Sequence, residues 1–348
     1  MSLRAILSLI VLLIFVYVVF IFPFEIIASW LGHPGTPLEL IISTLVIYFI
    51  CLFYLRTKNS NKLLKFLVYE GVGVGSVSLF IIIPILFLDI FFLIPNSIKI
   101  ILFFFFQIPL ILFGFWNARK IRIKNLEIVS NHINGSFSFV FISDVHIGSN
   151  SPKRLEKIIP LVNQLNPKFL LIGGDLIDSS SFQIDDLLSL KKIKCPIYFV
   201  TGNHEYYIQN FQHHLDNFHK CNIRILNNEA VIHDEINLIG INDNLTIEQK
   251  KNIYINLLSD NKFNLLAVHQ PSLWKLVKNN VDLMLSGHTH NGQIFPFNLL
   301  VKLQFPQIYG LYKENNNKLY VSSGVSTWGP KIRIGSQNEL VHINLIKK

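Results

Sequence analysis

The chain has 348 residues, 51% of them hydrophobic and only 15% charged, where a soluble domain carries about 25% charged residues. A mean hydropathy of +0.42 excludes disorder and is too high for an ordinary soluble enzyme of this length, so the apolar excess belongs in lipid or in an unusually large core. The net charge of +9 is uneven: residues 1–124 hold 10 Lys/Arg against 4 Asp/Glu, a balance of +6, and the rest of the chain carries +3. The cations stand beside apolar stretches and not between aromatics on a polar face, so no nucleic-acid partner is expected. Cys51, Cys195 and Cys221 are isolated and suggest neither a disulfide framework nor a thiolate metal site.

Four apolar segments come first, at about 5–24, 38–55, 71–94 and 98–116, each near the roughly 20 residues that a spanning helix needs. Residues 1–124 therefore read as a transmembrane domain with four spans. The first apolar run exceeds the about 7–15 residues of a signal-peptide core and no small-residue cleavage site follows, so it is expected to stay in the mature chain. Arg56, Lys58, Lys62 and Lys65 follow the second span, and Arg119, Lys120, Arg122 and Lys124 follow the fourth. The first connector has no cation and the third only Lys99. Cationic loops are retained on the cytoplasmic side, so both termini are expected there. Glu70 begins the third span. Asp89 lies near its end, roughly 8 Å from it at 1.5 Å per residue; it either serves a function within the membrane, snorkels to the interface or pairs with Lys99.

Residues 125–348 change character. Short β-rich runs at 137–142, 169–172, 197–200, 238–241, 263–268 and 283–285 predict strands. Pro152 predicts a helix start with proline at its first position, and Thr246 with Gln249 a capping box. Apolar strands alternating with helices describe an α/β layered domain, in which ligands collect at the carboxyl ends of strands.

Five polar clusters follow such runs: Ser143-Asp144-Val145-His146, Gly173-Gly174-Asp175-Leu176-Ile177-Asp178, Gly202-Asn203-His204-Glu205, Val268-His269 and Gly287-His288-Thr289-His290. Singly each is ordinary, a helix cap or a surface histidine. Together they offer carboxylate, imidazole and amide oxygen without sulfur, a donor set for divalent Mn, Fe or Zn. They are too many for one ion and suit two ions about 3.5–4 Å apart, an arrangement that clamps a phosphoryl group. Asp144 and His146, two apart on an extended chain, would point to one side, as would His288 and His290.

In this order the clusters resemble the calcineurin-like metallophosphoesterase family over about residues 137–345. The resemblance implies a four-layer α/β/β/α sandwich with two divalent metal ions. Asp144, His146 and His290 would hold one ion, Asn203, His269 and His288 the other, with Asp175 bridging both. His204 would sit over the phosphate as transition-state stabiliser or proton donor, with Asp178 orienting it. Glu205 is either a fold-supporting hydrogen-bond acceptor or a catalytic part. The reaction implied is in-line attack by a metal-bridging hydroxide on phosphorus. His213, His214 and His219 read as a solvated helix surface.

Within the family, Gly287-His288-Thr289-His290-Asn291-Gly292 resembles membrane-associated bacterial members, which carry Gly where this chain has Asn291. That likeness implies a bacterial inner-membrane enzyme, and the loop cations put its catalytic domain on the cytoplasmic side. Relatives in the family hydrolyse a nucleotide-linked lipid in lipid A synthesis, and others small soluble esters. A phospholipid or nucleotide-linked lipid is thus the expected substrate. Soluble nucleotides, and a transporter or sensor with a regulatory esterase domain, are the alternatives. The apolar run from Phe295 to Phe305, with Lys302 as its one charge, either packs on the core or dips into the leaflet.

Overall fold

The computed structural model describes residues 3–57 and 62–348; Lys58 lies outside them. The chain forms two compact units, Met1–Asn117 with Gly329–Ile334, and Ala118–Trp328 with Gly335–Lys348.

In the first unit, α1 (Leu3–Val16) continues through a π-helical turn at Tyr17–Ile21 into α2 (Phe22–Trp30), followed by α3 (Pro37–Thr57), α4 (Lys62–Phe92) and α5 (Asn96–Arg119). Four stretches, Ile6–Trp30, Pro37–Leu55, Leu63–Phe92 and Asn96–Arg119, are long and apolar enough to cross a membrane. Leucines, isoleucines and phenylalanines stay exposed along them, among them Leu38, Ile90 and Phe105, as on helices whose solvent is lipid. The α4 helix begins before its apolar stretch because Lys65 and Glu70 are compatible with a helix though not with a hydropathy threshold. At the α4–α5 turn, Asp89 takes the pairing alternative: its Oδ2 lies 2.6 Å from Lys99 Nζ and its Oδ1 accepts from Ile94 N. Gly75 lets α4 approach the π-helical turn; a Cβ there would lie 2.1 Å from Val19 O. Gly329–Ile334, from the far end of the sequence, packs within this unit. Lys331 N donates to the Glu70 carboxylate and Arg333 N to Gly114 O, with Ile332 fully buried.

The second unit holds two six-stranded sheets. The strands are β1 (Arg122–Ser130), β2 (Ser136–Ile142), β3 (Leu170–Gly173), β4 (Ile197–Val200), β5 (Ile223–Ile225), β6 (Glu229–His233), β7 (Ile236–Ile241), β8 (Phe263–Val268), β9 (Leu283–Ser286), β10 (Gly310–Glu314), β11 (Asn317–Val321) and β12 (Glu339–Lys347). They order as β1-β12-β2-β3-β4-β5 and β10-β11-β9-β8-β7-β6. Helices α6 (Lys153–Leu165), α7 (Phe211–Asp216), α8 (Ile247–Leu257), α9 (Trp274–Val277) and α10 (Phe297–Gln304) complete it.

Residue alternation along a strand sends successive side chains to opposite faces, and here that builds the layers. Val140 and Ile142 face α6, packing on Leu155, Ile158 and Val162. Phe139 and Phe141 face the other sheet and meet Leu238, Leu265 and Leu285. On the far side, Ile239, Ile241 and Leu266 pack on Tyr254 of α8 and on Trp274 and Val277 of α9. The result is the expected α/β/β/α sandwich. The six expected runs are interior strands, apolar on both faces. The sheet edges β1, β5, β6 and β10, and the half-polar β11 and β12, were not among them because one face of each carries polar side chains. The Thr246–Gln249 capping box forms. Pro152 caps α6 one residue ahead of its first turn. Strands β2, β3 and β4 are mutually parallel, as are β7, β8 and β9, so within each sheet their carboxyl ends share one edge.

Candidate metal centre

The five clusters leave the carboxyl ends of β2, β3, β4, β8 and β9, and residues as far apart in sequence as His146 and His290 meet there, with Nε2 atoms 3.2 Å apart. Asp144, His146 and His290 offer ligand atoms within 4.8 Å of one another, as do Asp175, His269 and His288, and as do His146, Asp178 and His204. Asp175 Oδ2 lies 3.0 Å from His269 Nε2 and 3.9 Å from the Nε2 atoms of both His146 and His204. Asp144, His146, Asp175 and His269 are buried.

The turns that deliver them are not extended. Asp144, His146, Asp175, His288 and His290 have φ values of 57°, 52°, 53°, 73° and 49°, the left-handed region, which costs a non-glycine residue about 1–2 kcal/mol. So Asp144 and His146 converge through a strained turn and not through strand alternation. Strain of this kind gathers at functional sites. Asn291 also lies there, at φ 51°; asparagine tolerates this conformation better than other side chains, so it occupies the glycine position of the resembling motif without distorting the turn. Gly202 is required by close approach, since a Cβ would lie 2.1 Å from Asp175 Oδ1.

Tautomers follow from the partners. His269 Nδ1 lies 2.8 Å from Gly173 O, and a carbonyl only accepts, so Nδ1 carries the proton. In the neutral ring Nε2 is then a lone pair pointed at a carboxylate oxygen 3.0 Å away, and only a proton or a cation between them makes that contact favourable. In the loop after β4, the buried Asn203 Oδ1 accepts no hydrogen bond among the described residues. An outward-turned imidazole, a shared carboxylate and an orphaned amide oxygen, with no sulfur, fit a divalent ion of the Mn, Fe or Zn kind.

Electrostatics agree. Burial alone would depress His269, but the Asp175 carboxylate and then Asp144 hold it well above the usual histidine range. His288 is pushed down to about 4 by burial and by neighbouring His269. Asp175 is held below the carboxylate range: burial opposes this, and His269 and His146 overcome it. Burial lowers His204.

Glu205 is fully buried and accepts from three backbone N–H groups, those of Asp175, Ile177 and Gly202, at 3.1, 3.0 and 2.7 Å. It ties the β3 and β4 loops together, the hydrogen-bonding alternative. Burial and Asp175 push it up to about 7. Asp178 stands beside both rings: its Oδ2 lies 3.2 Å from His146 Nδ1, its Oδ1 accepts from Ser149 N, and its ligand atom is within 4.8 Å of those of His146 and His204. His204 is fixed by its own N–H to Asp175 Oδ1 at 2.9 Å. Its ring meets Tyr207 and Trp328 edge-on at 5.3 and 5.5 Å. Neither aromatic stood out in the sequence, because Trp328 lies outside every cluster and is brought in only by the fold. Ser143, whose hydroxyl donates to Asp144 Oδ2 at 2.6 Å, did stand in a cluster. His213 and His219 are exposed, and His214 packs on Phe182.

Residues 137–292 match the model of the calcineurin-like phosphoesterases. An uncharacterized metallophosphoesterase of Helicobacter pylori is 35% identical over 250 residues, covering 68% of this chain and 67% of that protein. One of Campylobacter jejuni is also 35% identical, over 66% of this chain and 64% of that one. A Danio rerio transmembrane protein with a metallophosphoesterase domain is 31% identical, over 63% and 55% respectively.

Proposed function

The chain belongs to the calcineurin-like metallophosphoesterases, hydrolases of phosphoric esters, and from that premise we propose a membrane-anchored enzyme that cleaves the phosphodiester or pyrophosphate of a phospholipid or nucleotide-linked lipid. The observation that carries the chemistry is the pair of ligand groups flanking one carboxylate, Asp175. Four helices fit to cross a membrane support a substrate held in lipid. The loop cations support a catalytic domain on the cytoplasmic side of a bacterial inner membrane.

Asp144, His146 and His290 are suited to hold one divalent ion, and Asn203, His269 and His288 a second, with Asp175 between them. Such ions, when bound, supply Lewis acidity toward the phosphoryl group and its attacking water. The protein residues do the rest. His204, neutral at physiological pH because burial lowers its pKa, donates a hydrogen bond from its ring to a phosphoryl or leaving-group oxygen. Tyr207 and Trp328 wall its ring and thin the water around it. Glu205 and Asp178 fix the loop and the His146 ring in place.

Turnover of bis-para-nitrophenyl phosphate by the full chain should stop on chelation and return with Mn²⁺. Detergent-dispersed phospholipid and nucleotide-lipid should be cleaved faster than the soluble nucleotide with the same headgroup. Chelator-resistant turnover would remove the metal scheme, and preference for the soluble nucleotide would remove the lipid.

A further inference from the structure

We propose that α10, with Phe295 before it, lies in the surface of the bilayer and forms, together with Trp328, the lipid-facing rim of the catalytic site. The run is divided: Phe305 is buried and Phe297 and Val301 are half-buried, while its leucines are not. None of the eight residues of α10 is buried; Phe295, Leu299 and Leu300 are exposed and Leu303 is 83% exposed. A helix that half-buries Phe297 and Val301 yet leaves three leucines exposed has the favourable environment of that second face elsewhere.

Its position is set by the site. At its carboxyl end, the Phe305 ring meets His288 edge-on at 4.9 Å. Ahead of it, Gln293 binds Trp328 through both amide atoms, Nε2 to Trp328 O and Oε1 from Trp328 N, at 2.9 Å each. Trp328, half exposed, covers His204. The residues that flank α10 in sequence, Gln293 and Phe305, thus reach Trp328 and His288 of the site.

Three observations name the occupant as lipid. The chain carries its own candidate spans, so a bilayer is never farther than the tether. The segment that follows Trp328 in sequence, Gly329–Ile334, belongs to the helical unit. Residues 295–305 contain Lys302 and no acid, the charge that suits anionic headgroups, and tryptophan is enriched at such interfaces. Delivery of substrate along this rim rests on the phosphoesterase reading above; the location of the rim does not.

The test uses the full chain in nanodiscs of phosphatidylcholine and phosphatidylglycerol at roughly three to one. An environment-sensitive fluorophore on Leu303→Cys should be quenched by doxyl-labelled phosphatidylcholine about threefold more than one on Ile255→Cys of α8, with the unsubstituted chain as labelling blank. Equal quenching overturns the proposal, as does a Leu303 signal that depends on protein concentration and not on lipid, which would mean a second copy. Leu299→Glu with Leu303→Glu should keep turnover of bis-para-nitrophenyl phosphate within about twofold and lower that of a bilayer-held phosphodiester about tenfold. An unchanged lipid rate overturns delivery. If that pair fails to fold, Leu303→Asn carries the same comparison. A quenched probe on a chain inactive toward every ester would sink the phosphoesterase reading and keep the rim; an active chain with an unquenched probe would do the reverse.

Discussion

Two acceptors, His269 Nε2 and Asp175 Oδ2, face each other at 3.0 Å, and the question at the scale of single residues is what lies between them. A proton would answer it without an ion, and the facing carboxylates hold His269 above its usual range; in the proposed metal centre a divalent cation would answer it. The two compete, so binding must expel the proton and affinity must rise with pH. His288, down at about 4, has no proton to lose near neutrality. Mn²⁺ affinity measured by calorimetry should therefore tighten between about pH 6 and 8 with proton release, and a flat profile would contradict this assignment. Asp175→Asn or His288→Ala should abolish turnover and lower metal content. His204→Ala should keep its metal and lose about 10²–10⁴ in rate, as judged by kcat beside elemental analysis.

At the scale of elements, the strands work as pedestals, and their stiffness is local packing. Phe139 is fully buried between the sheets and stacks on Phe169 with centroids 4.8 Å apart. Phe139→Ala should destabilise the full chain by about 3–5 kcal/mol in chemical denaturation, and Ile255→Ala, exposed on the outer face of α8, by less than about 0.5 kcal/mol; similar values for both would contradict this layering. The interior strands and the clusters after them were legible because burial on both faces leaves an unbroken apolar run, and a ligand set leaves chemistry at its end. Edge strands blend into their polar surroundings. The left-handed turns at Asp144 and His146 were illegible because nothing in the residue types Asp and His demands them. Trp328 and Asp178 could not be placed, since which histidine each one meets is a property of tertiary contact.

For the whole molecule, anchor and catalyst are separate compact units of one chain, and the return of Gly329–Ile334 to the helical unit was invisible in a polar, glycine-bounded stretch of sequence. On the proposed orientation, with both termini inside, a cysteine placed at exposed Asp216 should react with a membrane-impermeant maleimide only after the cells are opened; labelling of intact cells would reverse the topology. The convergence of distant loops on a shared pair of cations is tested most directly by elemental analysis of the purified full chain after Mn²⁺ saturation and desalting. About two equivalents per chain are expected in the wild type, and fewer than one in Asp175→Asn. Equal content in the two proteins, or less than one equivalent in the wild type, would contradict it.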